Sequence, residues 1–377
     1  MRFITALCCS ALFLIGCSGG VPVANNARSS QQDIGVFGTH LTLNGNNWLP
    51  RSVVLQAFVA PLAYLQVNDT QAYNAQINYG PAEFAAINAY GADTIRFQVS
   101  QPSLDPQSPL YSAQYANALV TGMQQAREAG FIVMIMMQDE SLSGEPDPHP
   151  LATAETVRDW DLLNPLFGTD RGVIYELYNE PEIVSNATDW DLWANGDTTG
   201  NSTIAPGAVG MQTLTTHLRS EGSKNVFIVD ALGFAQNLSG VIPIIDPLDQ
   251  MVYAVHPYPR GSSDESKWPS QFGIASQTLP VWADEWSAKA GGSLGLGQLP
   301  TYQVAVDLLN YCRSNNIAVG GGAFDIPGLL VQNVPGWTPT NYDNYSPSNT
   351  GDDAGALLEV LFRTDYSRPL TLADGLQ

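Results

Sequence analysis

Short apolar runs alternate with longer mixed segments along most of the chain. Eight such runs, at 53–58, 94–99, 131–137, 172–178, 226–229, 251–255, 280–283 and 318–324, have the length and branched apolar content of buried strands. The stretches between them carry helix punctuation. Pro81 stands at a first turn with Gly91 at the end, and Tyr115, Leu119 and Met123 share one helical face that Gly130 closes. Strand followed by helix, repeated eight times, predicts an α/β fold of the (β/α)8 TIM-barrel type. A doubly wound sheet would need a glycine-rich phosphate turn after the first strand, and residues 57–64 offer none. Ahead of the barrel, Leu41-Thr42-Leu43 followed by Asn44-Gly45 predicts a short N-terminal β-hairpin. No fixed-period repeat and no Pro/Ser/Thr linker interrupts residues 37–377, so they read as one catalytic domain.

The first residues follow a different pattern. Met1-Arg2 and the apolar run to Ile15 have the charge and length of an export signal, expected over residues 1–16, and are too short to span a bilayer. Leu14-Ile15-Gly16-Cys17 resembles the bacterial lipobox, which implies cleavage before Cys17 and acylation of that cysteine. Residues 17–36, rich in Ser, Gly, Asn and Gln, then read as a lipidated, flexible tether. Ser18 directly after the cysteine points to the outer membrane. An exported domain held at the cell surface is the expectation, with membrane contact only through Cys17.

Charge narrows the partners. Lys plus Arg total 15 against 36 Asp plus Glu, a net charge of −21, which repels nucleic acid and anionic lipid headgroups. Cys8 and Cys9 leave with the signal and Cys17 takes lipid, so Cys312 alone remains in the domain, with no disulfide framework and no cysteine metal site. Its helical spacing with Val304, Leu308 and Leu309 predicts a buried, inert thiol. The acidic run Asp139, Glu140, Glu145, Asp147 does not follow an EF-hand loop and reads as solvated acid; no metal is expected.

In a (β/α)8 barrel the chemistry sits where strands end. The fourth strand runs out into Asn179-Glu180-Pro181 and the seventh into Asp284-Glu285-Trp286. These strands face each other across the barrel, so Glu180 and Glu285 can approach one glycosidic bond from opposite sides, as a retaining pair must. Arg96, ending the second strand, is the cation to keep Glu285 ionised. His256-Pro257-Tyr258, ending the sixth, brings an imidazole to Glu180 and a phenol to Glu285. Asn179 can bond a sugar 2-hydroxyl.

In this order, Arg96, Asn179-Glu180-Pro181, His256-Pro257-Tyr258 and Glu285 resemble glycoside hydrolase family 5, the cellulase family of the retaining barrel clan. The resemblance covers roughly residues 37–363. It implies retaining double displacement with Glu180 as acid/base and Glu285 as nucleophile, and no cofactor. Two positions depart from the family. Gln138 stands where relatives often have a histidine, and Phe324 where they commonly have a tryptophan platform, leaving Trp337 or Trp286 for sugar stacking. Two long segments, 185–206 and 327–353, carry Trp190, Trp193, Trp337, Tyr342 and Tyr345 as further candidates to stack on sugars.

The expected substrate is a neutral β-1,4-linked glucan or mannan, cut by a monomer. A glycan-binding lipoprotein on a decayed barrel, or an exo-acting glycosidase or transglycosylase, are the other readings the residues allow.

Overall fold

The computed structural model describes residues 32–61, 79–145, 147–183, 186–258, 265–287, 299–325, 330 and 355–376. Eight parallel strands close into a barrel in the order β4 (Arg51–Leu55), β5 (Thr94–Ser100), β6 (Ile132–Gln138), β7 (Val173–Glu176), β8 (Val226–Asp230), β9 (Met251–Ala254), β10 (Val281–Trp286) and β11 (Ala318–Gly321), with β11 pairing back to β4. All eight predicted strands are present, and helices such as Pro81–Tyr90, Ala113–Glu128, Ala154–Phe167 and Met211–Ser220 lie between them.

Alternation along each strand divides the core in two. Val133, Ile135 and Met137 of β6 join the large cluster between barrel and helices. Ile132 and Met134 join an inner cluster with Ile174, Val226, Ile228, Val252, Ala254, Trp282 and Ala318. This period of two is the pleat of a strand buried on both faces.

The N-terminal strands β1 (Ile34–Phe37), β2 (His40–Leu43) and β3 (Asn46–Asn47) form an antiparallel sheet whose register turns at Gly38 and at the expected Asn44-Gly45. Ile34 and Leu41 pack into the inner cluster, and the Ile34 amide donates to the Arg171 carbonyl just before β7. The sheet therefore plugs the end of the barrel opposite the strand termini that carry chemistry. Its first strand begins inside the expected tether, which moves the start of the folded body back to Ile34; the two apolar residues Ile34 and Val36 are too few to stand out from their Gln- and Asp-containing surroundings. The export signal and Cys17 lie outside the described residues. Among the described residues no helix is long and apolar enough to cross a membrane.

A bulge in β10 decides what the mouth of the barrel contains. Ala283 pairs with Val319 and Trp286 with Gly321, so three steps on β10 oppose two on β11. The extra residue lets Asp284 and Glu285 both face the barrel interior and mouth, while Trp286 turns outward into the helix-facing core.

Candidate active site

The upper interior of the barrel is ionic where the lower is apolar. Arg96, Glu176, Asp230, His256 and Asp284 are all fully buried there. Arg96 donates from Nε to Glu176 Oε2 at 2.6 Å and from Nη2 to Glu176 Oε1 at 2.5 Å. Its Nη2 also reaches Asn179 Oδ1 at 2.8 Å, and its Nη1 pairs with Glu285 Oε2. One guanidinium thus anchors a buried carboxylate below and two cleft residues above.

Glu285 accepts a second hydrogen bond at Oε1 from the Tyr258 hydroxyl, at 2.5 Å. Burial pushes the Glu285 carboxyl up, but Arg96, His256 and the Tyr258 hydroxyl outweigh it and hold its pKa down at about 2. Across the cleft, Glu180 Oε1 lies 2.7 Å from His256 Nδ1. Oxygens of Glu180 and Glu285, with a ring nitrogen of His256, all lie within 4.8 Å of one another. Glu180 has a left-handed backbone with φ of 48°, and its amide donates to Asp230 Oδ2 at 2.9 Å. The chain leaves β7 through Asn179, whose amide bonds the Met137 carbonyl at 2.9 Å.

The structure therefore brings together Glu180, Glu285, Arg96, Asn179, His256 and Tyr258. Gln138 ends β6 on the same rim and is buried. The expected aromatic platforms are placed differently. Trp286 is fully buried, turned outward by the bulge. Phe324 is also buried in the outer core, edge-on to Tyr90 with ring centroids 5.3 Å apart. Gly322 occupies the cleft side instead, where an added Cβ would stand 3.5 Å from Glu285 Cγ. Trp190 and Trp193 lie on a helix, Ala187–Asn195, where a loop was expected, and pack T-shaped against each other at 5.0 Å. Their indole N–H groups are held by the Ser239 and Asp230 carbonyls, which removes them from the cleft. Trp337, Tyr342 and Tyr345 lie outside the described residues. Cys312 is buried, and burial pushes its thiol up to about 12.

Glu140 is not the solvated acid that its acidic run predicts. Its Oε1 accepts from Asn179 Nδ2 at 2.8 Å, which makes it a third carboxyl of the cleft. Burial, then the charges of Glu180 and Glu285, push it up to about 7 against hydrogen bonds from Gln138 and Asn179. Asp230, absent from the sequence expectations, ends β8 as Glu176 ends β7, the position that marks barrel chemistry. Burial raises it to about 7; His256 opposes the shift and Asp284 adds to it.

Two groups of side chains have the spacing to share a cation: Glu176, Asp230, His256 and Asp284 inside the barrel, and Glu180, His256 and Glu285 above them. In the upper group Arg96, Tyr258 and His256 already engage the carboxyls; in the inner group Arg96 takes Glu176 and the Glu180 amide takes Asp230 Oδ2, while Asp284 and His256 Nε2 have no hydrogen bond among the described residues. Chemically, the upper trio is a pair of carboxyls with unlike surroundings, one held ionised by a cation and a phenol, the other facing an imidazole.

The chain matches the family described as Cellulase (glycosyl hydrolase family 5) over residues 63–321, more than half of its length. No curated protein matches it. Among solved structures it is similar to a β-glucanase of Saccharophagus degradans, at 18% identity and a TM-score of 0.62, covering 92% of this chain and 98% of that one. It is similar also to an endocellulase of Pyrococcus horikoshii, at 16% identity and TM-score 0.59, covering 84% and 98%. A β-mannanase of Thermomonospora fusca follows at 17% and 0.54, covering 84% and 92%. These likenesses are of fold; the family match reaches further, and the chain belongs to glycosyl hydrolase family 5, as a retaining glycoside hydrolase.

Proposed function

We propose that the protein is an endo-acting β-glycanase on a neutral β-1,4-linked glucan or mannan, with Glu285 as nucleophile and Glu180 as acid/base. The observation that carries this is the approach of Glu180 and Glu285 oxygens to within 4.8 Å. Retaining enzymes hold their carboxyls about 5–5.5 Å apart, whereas inverting ones leave about 6.5–9.5 Å for a water. Roles follow from surroundings. A pKa near 2 keeps Glu285 ionised and ready to attack, and Tyr258 and Arg96 fix its two oxygens.

In the first step a Glu285 oxygen bonds the anomeric carbon as the glycosidic C–O bond breaks, and the Glu180 proton passes to the leaving oxygen. In the second, Glu180 takes a proton from water, whose oxygen bonds the anomeric carbon as the Glu285 ester bond breaks. Structures of the Saccharophagus β-glucanase with cellotetraose and of the Thermomonospora β-mannanase with mannotriose support the choice of substrate class.

Azide separates the two roles. Glu285→Ala with azide should yield the α-glycosyl azide, and Glu180→Ala the β-glycosyl azide. The opposite assignment of products would reverse the roles, and no adduct from either variant would count against both. Rapid loss of viscosity from a long glucan or mannan, ahead of reducing-end release, tests the endo mode; steady shedding of terminal sugars would overturn it. The same proposal includes export and lipid anchoring through Cys17, motivated by Leu14-Ile15-Gly16-Cys17. Cys17→Ser should abolish labelling with a fatty-acid analogue, and persistence of label would refute the anchor.

A further inference from the structure

Beneath Glu180 lies a set of buried acids that the double displacement does not use. His256 Nε2 stands 3.2 Å from Asp284 Oδ1 and 3.6 Å from Asp230 Oδ2, and all three side chains are fully buried. His256 Nε2, both Asp284 oxygens and Asp230 Oδ1 have no hydrogen-bond partner among the described residues, so the ring nitrogen meets the two carboxyls by ion-pair proximity rather than in hydrogen-bond geometry. Such carboxylates are costly in a barrel core, and apolar residues of similar volume would serve stability at least as well. A chemical role is the better account.

We propose that Asp230 and Asp284 are positioning residues for the acid/base: they keep both nitrogens of His256 protonated, so that Nδ1–H always donates to Glu180 Oε1, and Asp230 also holds the Glu180 backbone. The inference rests on the assignment of Glu180 as acid/base. Its logic is that of the imidazole tautomers. A bare Nε2 lone pair facing two carboxylates would be repelled, so Nε2 carries a proton. A neutral ring with its proton on Nε2 would present a lone pair at Nδ1. Glu180 would then have to donate from Oε1, taking its proton away from the substrate. Negative charge at Nε2 favours the doubly protonated ring, and the cationic ring in turn opposes the effect of burial on Asp230. Burial disfavours that charge, yet Glu285, Asp284, Glu180 and Asp230 together push the His256 pKa well above its usual value. With Nδ1–H donating at 2.7 Å, Oε1 becomes an acceptor and the transferable proton resides on Oε2, the oxygen left for the leaving group.

Asp230 adds a second restraint. The Glu180 φ of 48° lies in the left-handed region that non-glycine residues avoid. Its amide is tied to Asp230 Oδ2 at 2.9 Å, while the Asp230 carbonyl accepts from Trp193 Nε1 at 3.1 Å. The same carboxylate thus aims the backbone of the acid and biases the ring that orients its side chain.

The test uses Asp230→Asn and Asp284→Asn with aryl β-cellobiosides or β-mannobiosides of graded leaving-group acidity, whichever series the wild type hydrolyses. A good leaving group needs no protonation, so a defect in the acid is felt only with poor ones. We expect kcat/KM to fall about 10–100-fold on the phenyl glycoside and less than about threefold on the dinitrophenyl glycoside. Labelling of Glu285 by a dinitrophenyl 2-deoxy-2-fluoroglycoside should stay within about threefold of wild type. Equal losses across the series, loss of labelling, or no loss at all would overturn the proposal. Glu180→Ala, run beside them, should show the steepest leaving-group dependence. A flat series there would instead overturn the assignment of Glu180, and the inference with it. Nitrogen NMR of ¹⁵N-histidine-labelled wild type, assigned by loss of the His256→Asn signals, provides a readout that needs no aspartate variant. Two protonated ring nitrogens at neutral pH are expected, and a neutral tautomer would refute the proposal.

Discussion

The two ends of the barrel interior are built from the same strands and the same period of two, yet they hold opposite kinds of residue. In the lower half Ile132, Met134, Ile174, Val226, Ile228, Val252 and Trp282 fill the space with apolar volume, capped by Ile34 and Leu41. One pleat higher, β7 replaces Ile174 with Glu176, β8 replaces Ile228 with Asp230, and β10 replaces Trp282 with Asp284. The lower half gains stability from burial alone. The upper half holds charges that are tolerable only because Arg96 and His256 neutralise them from within, and that arrangement holds the Glu285 carboxyl well below the ordinary range.

Breaking the upper half at its reacting end should have the largest effect. Glu285→Ala is expected to lower kcat/KM by about 10⁴-fold or more, on the order of 5.5 kcal/mol of transition-state stabilisation, while far-UV circular dichroism remains close to wild type. Removing the cation should damage both chemistry and fold. Arg96→Met leaves Glu176 and Glu285 without their common partner, and urea unfolding should register a loss of about 3–5 kcal/mol alongside the loss of activity. A loss of activity with unchanged stability would mean that Glu176 is protonated and Arg96 serves Glu285 alone.

The lower half should respond in the opposite manner. Met134→Ala is expected to cost about 2–5 kcal/mol in urea unfolding, with kcat per folded molecule unchanged. A matching fall in kcat would show that the apolar floor transmits strain to the ionic layer. The smallest effect is expected from Glu140→Gln. Glu140 has its folded pKa raised to about 7, so the stability associated with its neutral form is fully present below the ordinary glutamate range and lost as pH rises through about 7. The variant should flatten the decline in melting temperature across that window and remove the matching ionisation from the kcat/KM profile. Glu285 has the reverse sign. Held at about 2, it contributes stability above the ordinary glutamate range, lost only as pH falls through about 2, so it should leave the neutral limb untouched.

Much of this is legible in the sequence. Each barrel strand advertised itself as a short, doubly buried apolar run, and the polar residues that end strands two, four, six and seven pointed at one mouth. The misreadings share a physical cause. Trp286 follows Glu285 directly, and only the bulge in β10 decides that the carboxyl faces the cleft and the indole the helices. Phe324 stands two residues beyond Gly322, and the course of the chain after β11 puts the glycine, not the ring, beside Glu285. Trp190 and Trp193 looked like loop aromatics because their helix is short, Ala187–Asn195, and Asn186 caps it just past a run with no periodicity. Glu140 was hidden in an acidic run whose members part ways: Asp139 turns to His149 at 2.7 Å, while Glu140 turns to Asn179.

By itself the sequence determined the strand and helix order, the closed barrel that such an order requires, and the identity of the residues at the strand ends, because hydrophobic periodicity and turn chemistry are local properties. How closely those ends approach, how one arginine is shared among three partners, and which aromatic rings are core rather than cleft were decided only in the tertiary structure. Those outcomes depend on strand register, a one-residue bulge and distances of a few ångströms between residues far apart in the chain, none of which leaves a mark on local composition.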